Sequence, residues 1–229
     1  MILRRAQDKR KGKFIVFEGA DGSGKSTQAK LFFDYLKNPP AGGKTIPAVL
    51  TSFPRYESAW GKMVRRYLNG EFGGINEVGP YVASMLYAGD RLLAKDEIEK
   101  WINEGKTVVC DRYVASNIAH QAAKLKVKSE KLKFIDWLEN LEFRENRIPK
   151  PDLVVLMTIP QEVAQKFMSR RVRDIHEVDT NYQEAVAKAF EDYAKGKRNW
   201  ITVSNMKGKN LKSLDEVHKE IVSVVKDQP

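Results

Sequence analysis

Five short segments of the chain are rich in apolar residues, and more polar stretches separate them. They are Phe14–Glu18, Ala48–Ser52, Thr107–Asp111, Leu153–Ile159 and Trp200–Ser204. Each has the length of a strand. The first, third and fourth are apolar at nearly every position, which is typical of strands whose two faces are both buried. We therefore predict a sheet that helices cover on both sides.

The stretches between these strands carry apolar residues at helical spacing. The predicted helices are Ser26–Lys37, Val78–Asn103, Ser129–Glu145, Gln161–Arg173, Asn181–Lys197 and Leu211–Lys226. The second is long enough to be two helices or one bent helix. Strands that alternate with helices pair in parallel. We expect an α/β fold, a three-layer α/β/α domain over residues 13–229 with a five-stranded parallel sheet, after a basic and flexible lead-in at residues 1–12.

Composition excludes several classes of protein. With 42% apolar residues, the 229-residue chain can bury one sizeable core. Its apolar runs are far shorter than the roughly 20 residues of a membrane helix, so we expect no membrane partner. The N-terminus lacks the apolar region of a secretory signal. Cys110 is the only cysteine, which suits a reducing cytoplasm, and its apolar neighbours indicate packing rather than catalysis.

The charge balance favours anionic partners. Lysine and arginine number 40 against 30 aspartates and glutamates, a formal net charge of +10. Nucleotides, nucleic acids and acidic surfaces would all suit such a chain. The basic residues are spread along the sequence, and the aromatic and glycine signatures of RNA-binding modules do not occur in it. We therefore expect no nucleic-acid partner.

A glycine-rich motif lies directly between the first strand and the first helix. It reads Gly19-Ala20-Asp21-Gly22-Ser23-Gly24-Lys25-Ser26-Thr27 and matches the phosphate-binding pattern G-x-x-x-x-G-K-[ST]. In such a P-loop, backbone N–H groups surround a phosphate and the lysine supplies charge to the β- and γ-phosphates. The serine hydroxyl can ligate Mg²⁺. The sequence thus predicts a P-loop NTPase-type domain, without yet saying what accepts the phosphate.

The third strand ends in Asp111, and Arg112 and Tyr113 follow it. GTPases and motor ATPases would instead end a strand in Asp-x-x-Gly or Asp-Glu. Because the carboxyl ends of parallel strands meet at one edge of a sheet, Arg112 is expected to face the P-loop, where an arginine can clamp a phosphate. The alternative is a structural ion pair of Asp111 and Arg112 at the strand end.

Five segments together resemble the thymidylate kinase family, and the resemblance runs from Phe14 to the last helix. They are the P-loop, Ser52–Tyr56, Tyr87–Arg91, Asp111–Asn117 and Pro149–Asp152. Their order and spacing are specific, whereas each one alone, apart from the P-loop, is a weak signal. The resemblance implies a cytoplasmic, homodimeric enzyme that uses Mg²⁺ and moves the γ-phosphoryl group of ATP onto dTMP to give dTDP, a step in dTTP synthesis.

The resemblance also implies roles for individual residues. The nine P-loop residues would bind ATP, Asp21, Lys25 and Arg112 would be catalytic, and Ser26 with Asp111 would hold Mg²⁺. The dTMP site would comprise Asp21, Phe53, Arg55, Tyr56, Tyr87, Arg91, Arg112, Asn117, His120 and Tyr182. In it Tyr87 would stack on thymine, and Arg91, one helical turn later, would hydrogen-bond the base carbonyl. His120, a tyrosine in some relatives, would help to exclude a ribose 2′-hydroxyl.

A lid is expected at residues 169–181. Arg170, Arg171 and Arg173 close the helix after the fourth strand and lead into a polar loop. Members of the family take a catalytic arginine either from the P-loop, just after its aspartate, or from the lid. Since Gly22 follows Asp21 here, the resemblance implies that the lid supplies it. The alternative is a solvated basic helix end.

Two other functions stay open on the sequence. Another nucleoside or nucleoside-monophosphate kinase would share these motifs, and steady-state preference among monophosphates separates it from a dTMP kinase. A nucleotide-dependent nucleic-acid-binding protein would explain both the basic charge and the P-loop. DNA-stimulated ATPase activity and salt-sensitive DNA binding would support that function.

Overall fold

The computed structural model describes residues 12–75, 77–168 and 180–226. Within them one sheet contains β1 (Phe14–Glu18), β2 (Ala48–Ser52), β3 (Thr107–Asp111), β4 (Leu153–Thr158) and β5 (Trp200–Ser204). Their order is β2-β3-β1-β4-β5, and every neighbouring pair is parallel. The predicted α/β fold with a five-stranded parallel sheet is confirmed. Strand β4 ends at Thr158 rather than Ile159, since Pro160 follows and cannot donate to a ladder.

Eight α-helices surround the sheet in the described part of the chain. They are α1 (Lys25–Lys37), α2 (Ala59–Leu68), α3 (Pro80–Asn103), α4 (Val114–Ala122), α5 (Lys128–Asn140), α6 (Gln161–Met168), α7 (Thr180–Ala194) and α8 (Leu214–Lys226). Helix α3 is one continuous helix, which decides between the two possibilities left open. The short helices α2 and α4 were not among the predicted stretches.

Several predicted helix bounds differ from the structure, and two of these differences have a structural cause. Helix α5 ends at Asn140 and continues as a π-helical turn, Leu141–Glu145, which the hydrogen bond from Asn146 N to Leu141 O at 2.9 Å closes. The last helix begins at Leu214, not Leu211, because Leu211 belongs to an antiparallel hairpin of β6 (Met206–Lys207) and β7 (Asn210–Leu211). Residues 1–11 of the lead-in expected over 1–12, and residues 169–173 of the helix predicted over 161–173, lie outside the described residues.

The apolar core has two layers, one on each face of the sheet. Alternate residues of β1 show this division, because successive side chains of a strand point to opposite faces. Phe14 and Val16 pack in a cluster with residues of α3, α4 and α5, while Ile15 and Phe17 pack with residues of α1 and α8. The continuous apolar pattern of β1 thus follows from burial on both faces.

Strand order determines where the polar motifs meet. Strand β1 pairs with β3 on one side and β4 on the other, so the P-loop after β1 emerges beside the Asp111–Tyr113 segment after β3. Open α/β sheets bind ligands in the crevice at such a switch point. Cys110, just before that segment, is fully buried in the core, as its apolar neighbours indicated. None of the described helices has the length and apolar character that crossing a bilayer requires.

Candidate active site

The P-loop backbone depends on glycine at its first position. Gly19 has φ 148°, and a Cβ atom there would lie 2.4 Å from the carbonyl oxygen of Met157, so no other residue fits. Gly24, with φ 77°, ends the loop as the N-cap of α1. Ser26 and Thr27 are exposed in the first turn of that helix, where free N–H groups favour an anion.

Lys25 is buried beside the loop that it serves. Its Nζ atom donates to Ala20 O at 3.2 Å and lies 3.6 Å from Oδ1 of Asp21. Burial lowers the pKa of Lys25 to about 8, and the nearby Arg112 charge acts in the same direction. The charge of Asp21 raises the pKa of Lys25 but offsets the lowering only in part. The lysine is therefore placed for a ligand that brings more negative charge, such as a polyphosphate.

Arg112 reaches the P-loop from the end of β3. Its backbone has φ 66°, an unusual left-handed conformation for arginine, while its N–H group bonds Phe17 O at 2.9 Å. The side chain donates to Oδ1 of Asp21 through Nη2 and to Ser116 Oγ through Nη1. Burial alone would raise the pKa of Asp21, but the charges of Arg112 and Lys25 outweigh it and hold that pKa well below its usual range.

A cavity of about 980 Å³ adjoins these groups. Its walls come from the P-loop, the segment after β2, helices α3 and α4, and the segment around the hairpin. Residues predicted as site residues that line it are Asp21, Gly22, Gly24, Lys25, Ser26, Thr27, Phe53, Tyr56, Tyr87, Arg91, Asp111, Arg112, Asn117 and His120. Their chain positions are far apart, so the tertiary structure assembles most of the predicted site in one place.

One end of the cavity combines an aromatic ring with oriented polar groups. Tyr87 lies edge-on to Tyr67, with the ring centroids 6.3 Å apart. Asn117 donates through Nδ2 to Ser84 O at 3.1 Å, so its amide is oriented with Oδ1 as the remaining acceptor. Arg91, only 1% exposed, lies at the same end. An aromatic face, an amide acceptor and a guanidinium donor suit a flat heterocycle that has both N–H and C=O groups.

Ser26 and Asp111 fit a magnesium ion only with help from a ligand. Both line the cavity, and Oδ1 of Asp111 is buried without a hydrogen-bond partner among the described residues. No group of three His, Cys, Asp or Glu side chains in that part of the chain could hold a metal by itself. Mg²⁺ is commonly bound by one or two protein oxygens together with water and substrate phosphates, which is what these two residues offer.

The matches to known proteins decide the family. The family model described as thymidylate kinase matches residues 17–221. The chain belongs to the thymidylate kinase family. It is 32% identical over 221 residues to the thymidylate kinase of Plasmodium falciparum, covering 95% of this chain and 91% of that protein. It is 34% identical over 224 residues to a probable thymidylate kinase of Methanocaldococcus jannaschii, covering 94% and 97%.

A solved structure of a thymidylate kinase from Candida albicans has the same fold. Its TM-score is 0.73 at 24% identity, over 95% of this chain and 92% of that chain. Thymidylate kinases are enzymes that phosphorylate dTMP to dTDP. Membership of the family, expected from the sequence, is confirmed by the match to nearly the whole chain.

Two residues that the thymidylate kinase resemblance assigned to dTMP, Arg55 and Tyr182, are not among the residues that line the cavity. Arg55 turns towards α3, where its Nη1 atom pairs with Glu97 at 2.9 Å. Tyr182 supports His120 from α7, since its hydroxyl donates to the His120 carbonyl oxygen at 2.8 Å. Burial lowers the pKa of His120 to about 3, so the ring is neutral at physiological pH. The lid arginines Arg170, Arg171 and Arg173 lie outside the described residues.

Three buried carboxylates near the cavity were not predicted. Fully buried Glu18 accepts bonds from the backbone N–H groups of Tyr113 and Ser116, at 2.9 and 3.1 Å, and so fixes the start of α4. Asp90 accepts from Arg55 N at 2.6 Å, and Glu142 pairs with Arg91. Glu18 carried a sequence signal, because an acid ends an otherwise apolar buried strand.

The far side of the P-loop is covered by a segment that the sequence did not single out. Asn205, before the hairpin, donates through Nδ2 to Ser23 O at 2.7 Å. Gln28 of α1 donates to Leu214 O at 2.9 Å. Asn205, Lys212 and Ser213 all line the cavity. No pattern in the sequence marks this segment, because its position depends on packing against α1.

Proposed function

We propose that the protein transfers the γ-phosphoryl group of ATP to dTMP within the cavity, giving dTDP and ADP. The observation that carries the proposal is the meeting of Lys25, Asp21 and Arg112 in one cavity. The lysine belongs to the P-loop, which suits the donor, and the arginine belongs to the segment that leads to the aromatic end, which suits the acceptor. Asp21 contacts both cations.

The donor phosphates would lie in the P-loop. Backbone N–H groups at the start of α1 and the Lys25 ammonium would bind their oxygens. Ser26 and Asp111 would hold Mg²⁺, which neutralises charge on the β- and γ-phosphates. The donor nucleoside would extend towards Asn205 and Ser213, since the cavity continues there beyond the P-loop.

The acceptor phosphate would be held by Arg112. Asp21 and Ser116 each accept one hydrogen bond and orient the guanidinium, which lines the cavity between the two halves of the site. The phosphate oxygen of dTMP is already a nucleophile, so positioning and charge neutralisation supply most of the rate. Lys25 and Arg112 would do this for the donor and the acceptor respectively.

The base would bind at the aromatic end. The Tyr87 ring would stack on thymine, the oriented Oδ1 of Asn117 would accept its N3–H, and Arg91 would donate to its O4 carbonyl. Neutral His120, held by Tyr182, would lie near the sugar and disfavour a 2′-hydroxyl. Phe53 and Tyr56 would close this part of the site from the segment after β2.

The lid would complete the reaction centre. Gly22 supplies no side chain after Asp21, so we assign the role of the catalytic arginine to Arg170, Arg171 or Arg173. Residues on the near side of that segment, Ile159 and Phe167, already line the cavity. Closure of such a lid excludes water, which would otherwise compete as phosphoryl acceptor.

A homodimer is part of this proposal. Helix α3 presents an exposed apolar stripe of Val82, Met85 and Leu93, which are 60%, 53% and 53% exposed. These residues recur at roughly helical spacing on one helix. Contact with the same helix of a second copy would bury them. We also place the enzyme in the cytoplasm and in dTTP synthesis, which the single cysteine Cys110 and the family reaction support.

A coupled assay of ADP release tests the proposed reaction. The wild type, Lys25→Ala and Arg112→Ala are each given Mg-ATP with dTMP, dUMP, UMP, CMP or dCMP, and Lys30→Ala, an exposed lysine of α1, is the control. We expect turnover with dTMP well above the other monophosphates, lost in the first two variants and kept in the control. Turnover with another monophosphate above dTMP, or with none, would contradict the proposal.

A further inference from the structure

Arg91 and Glu142 form an ion pair that is sealed inside the protein. Their side chains are 2% and 0% exposed. Oε1 of Glu142 accepts from both Nε, at 2.9 Å, and Nη2 of Arg91. Burial lowers the pKa of Arg91, but the charge and hydrogen bonds of Glu142 more than offset this and hold the pKa above its ordinary value. Arg91 is therefore a cation whose place in the core depends on one carboxylate.

The hydrogen bonds of Arg91 leave a defined pair of donors. A guanidinium has five N–H groups in a fixed planar fork. Glu142 takes the Nε–H and one N–H of Nη2, and the carbonyl oxygen of Tyr113 takes one N–H of Nη1 at 3.4 Å. The two remaining N–H groups, one on each terminal nitrogen at the end of the fork, have no hydrogen-bond partner among the described residues. Arg91 lines the cavity, so they are the donors available to a ligand there.

The place of Glu142 in the fold explains why the direction of the Arg91 guanidinium is fixed. Phe134 and Leu138 are fully buried on α5, and Glu142 follows at the same four-residue spacing in the π-helical turn Leu141–Glu145. The turn is fixed further by the bond from Ile148 N to Glu142 O at 3.1 Å. A carboxylate thus occupies a core position on a tightly packed element. Turns of this kind occur frequently at functional sites.

We propose that Glu142 is a positioning residue that sets the direction of the Arg91 guanidinium and thereby the preference for pyrimidines with a carbonyl group at C4. The two donors at the end of the fork can serve a carbonyl oxygen, which accepts, and oppose the 4-amino group of cytosine, which also donates. Glu142 acts through Arg91 and does not touch the substrate. This inference rests on the proposed function and adds the source of base selection.

The test is the ratio of kcat/KM values for dTMP and dCMP. Glu142→Gln keeps the shape of the side chain but removes the charge that orders the guanidinium. We expect kcat/KM for dTMP and dUMP to fall about tenfold, mainly through KM, while that for dCMP changes little, because charge-assisted hydrogen bonds are roughly twice as strong as neutral ones. The dTMP/dCMP ratio should therefore fall by a similar factor. The matched control is Glu145→Gln, an exposed residue of the same π-helical turn.

A purely structural role makes a different prediction. Loss of folded enzyme would lower kcat/KM for all monophosphates equally and leave the dTMP/dCMP ratio unchanged, and that result would overturn the inference. Kinetic constants of Glu142→Gln equal to those of the wild type would overturn it as well. In an Arg91→Met background, Glu142→Gln should not alter the ratio further. Should Glu142→Gln fail to fold, Glu142→Asp keeps the charge but withdraws the carboxylate, and the same fall in the ratio is expected. A wild type without preference for dTMP would instead refute the proposed function itself, and this inference with it.

Discussion

Asp21 and Arg112 lie 91 positions apart in the sequence, yet Nη2 of Arg112 donates a hydrogen bond to Oδ1 of Asp21. This contact joins the P-loop to the segment after β3. The carboxylate also lies 3.6 Å from Nζ of Lys25, so one acid compensates two cations that we assign to two different phosphates.

The first prediction concerns the geometry of Arg112. Arg112→Lys keeps the charge but loses the planar fork that bonds Asp21 and Ser116 together. We expect kcat/KM for dTMP to fall about 100-fold, because small misplacement of a reacting group costs that much. Steady-state kinetics with Mg-ATP measures it. Arg198→Lys, on an exposed arginine, serves as the control, and an Arg112→Lys enzyme as fast as the wild type would show that positive charge alone suffices.

The second prediction concerns stability and pH. The pKa of Asp21 is lower in the folded than in the unfolded protein, so its charge stabilises the fold above the ordinary carboxyl pKa, near 4, and this contribution disappears as the pH falls below it. Asp21→Asn should lower the free energy of unfolding by about 2 kcal/mol between pH 6 and 8. Urea titrations should show that the difference in free energy of unfolding between the wild type and Asp21→Asn narrows below pH 4. A difference that stays constant into acid would contradict this assignment.

The third prediction concerns proton uptake on nucleotide binding. Burial lowers the pKa of Lys25 to about 8, and polyphosphate charge should raise it again. Above pH 8, ADP binding must therefore take up a proton, approaching about one per ADP, and the affinity should fall by up to about tenfold per pH unit. Calorimetry in buffers of different ionisation enthalpy measures the uptake.

Two variants separate Lys25 from another lysine with a lowered pKa. Burial also lowers the pKa of Lys124 to about 8, but this residue bonds the Tyr67 hydroxyl at 2.7 Å and is not part of the P-loop. Lys25→Met should abolish the proton uptake, whereas Lys124→Met should retain it. The reverse pattern would assign the proton to Lys124 and contradict the prediction.

The fourth prediction concerns the lid. Arg170→Ala, Arg171→Ala and Arg173→Ala are compared one at a time, with Lys188→Ala, an exposed lysine of α7, as control. At least one of the three should lower kcat about 1,000-fold, which is the scale of a transition-state arginine in phosphoryl transfer. Rapid-quench measurement of a single turnover separates this effect from product release. Normal kcat in all three variants would show that none of these arginines acts in the chemical step.

The fifth prediction concerns assembly. Met85→Glu combined with Leu93→Glu places two charges on the exposed apolar stripe of α3 and should convert a homodimer into a monomer, because unpaired buried charges oppose association. Sedimentation velocity at micromolar concentration measures the mass, against 26.1 kDa for one chain. Leu132→Glu is a matched control, since Leu132 is 55% exposed on α5. A wild type that sediments as a monomer would contradict the dimer.

Sequence patterns alone determined the fold class, the P-loop and the family. The strands were recognisable because burial on both faces demands continuous apolar segments, and the P-loop because its backbone conformation requires glycine at fixed spacing. These constraints act on residues close together in the chain. Helices α2 and α4 were missed because they are short, so that few turns are available to show a helical period.

Only the tertiary structure decided the partners of the buried charges. Glu18, Asp90 and Glu142 each carry a carboxylate whose function depends on which element packs against it, and periodicity contains no such information. The direction of Arg55, turned towards Glu97, was equally hidden. The physical reason is that strand and helix formation is governed largely by local patterning, whereas a buried charge must find its counter-charge across the fold.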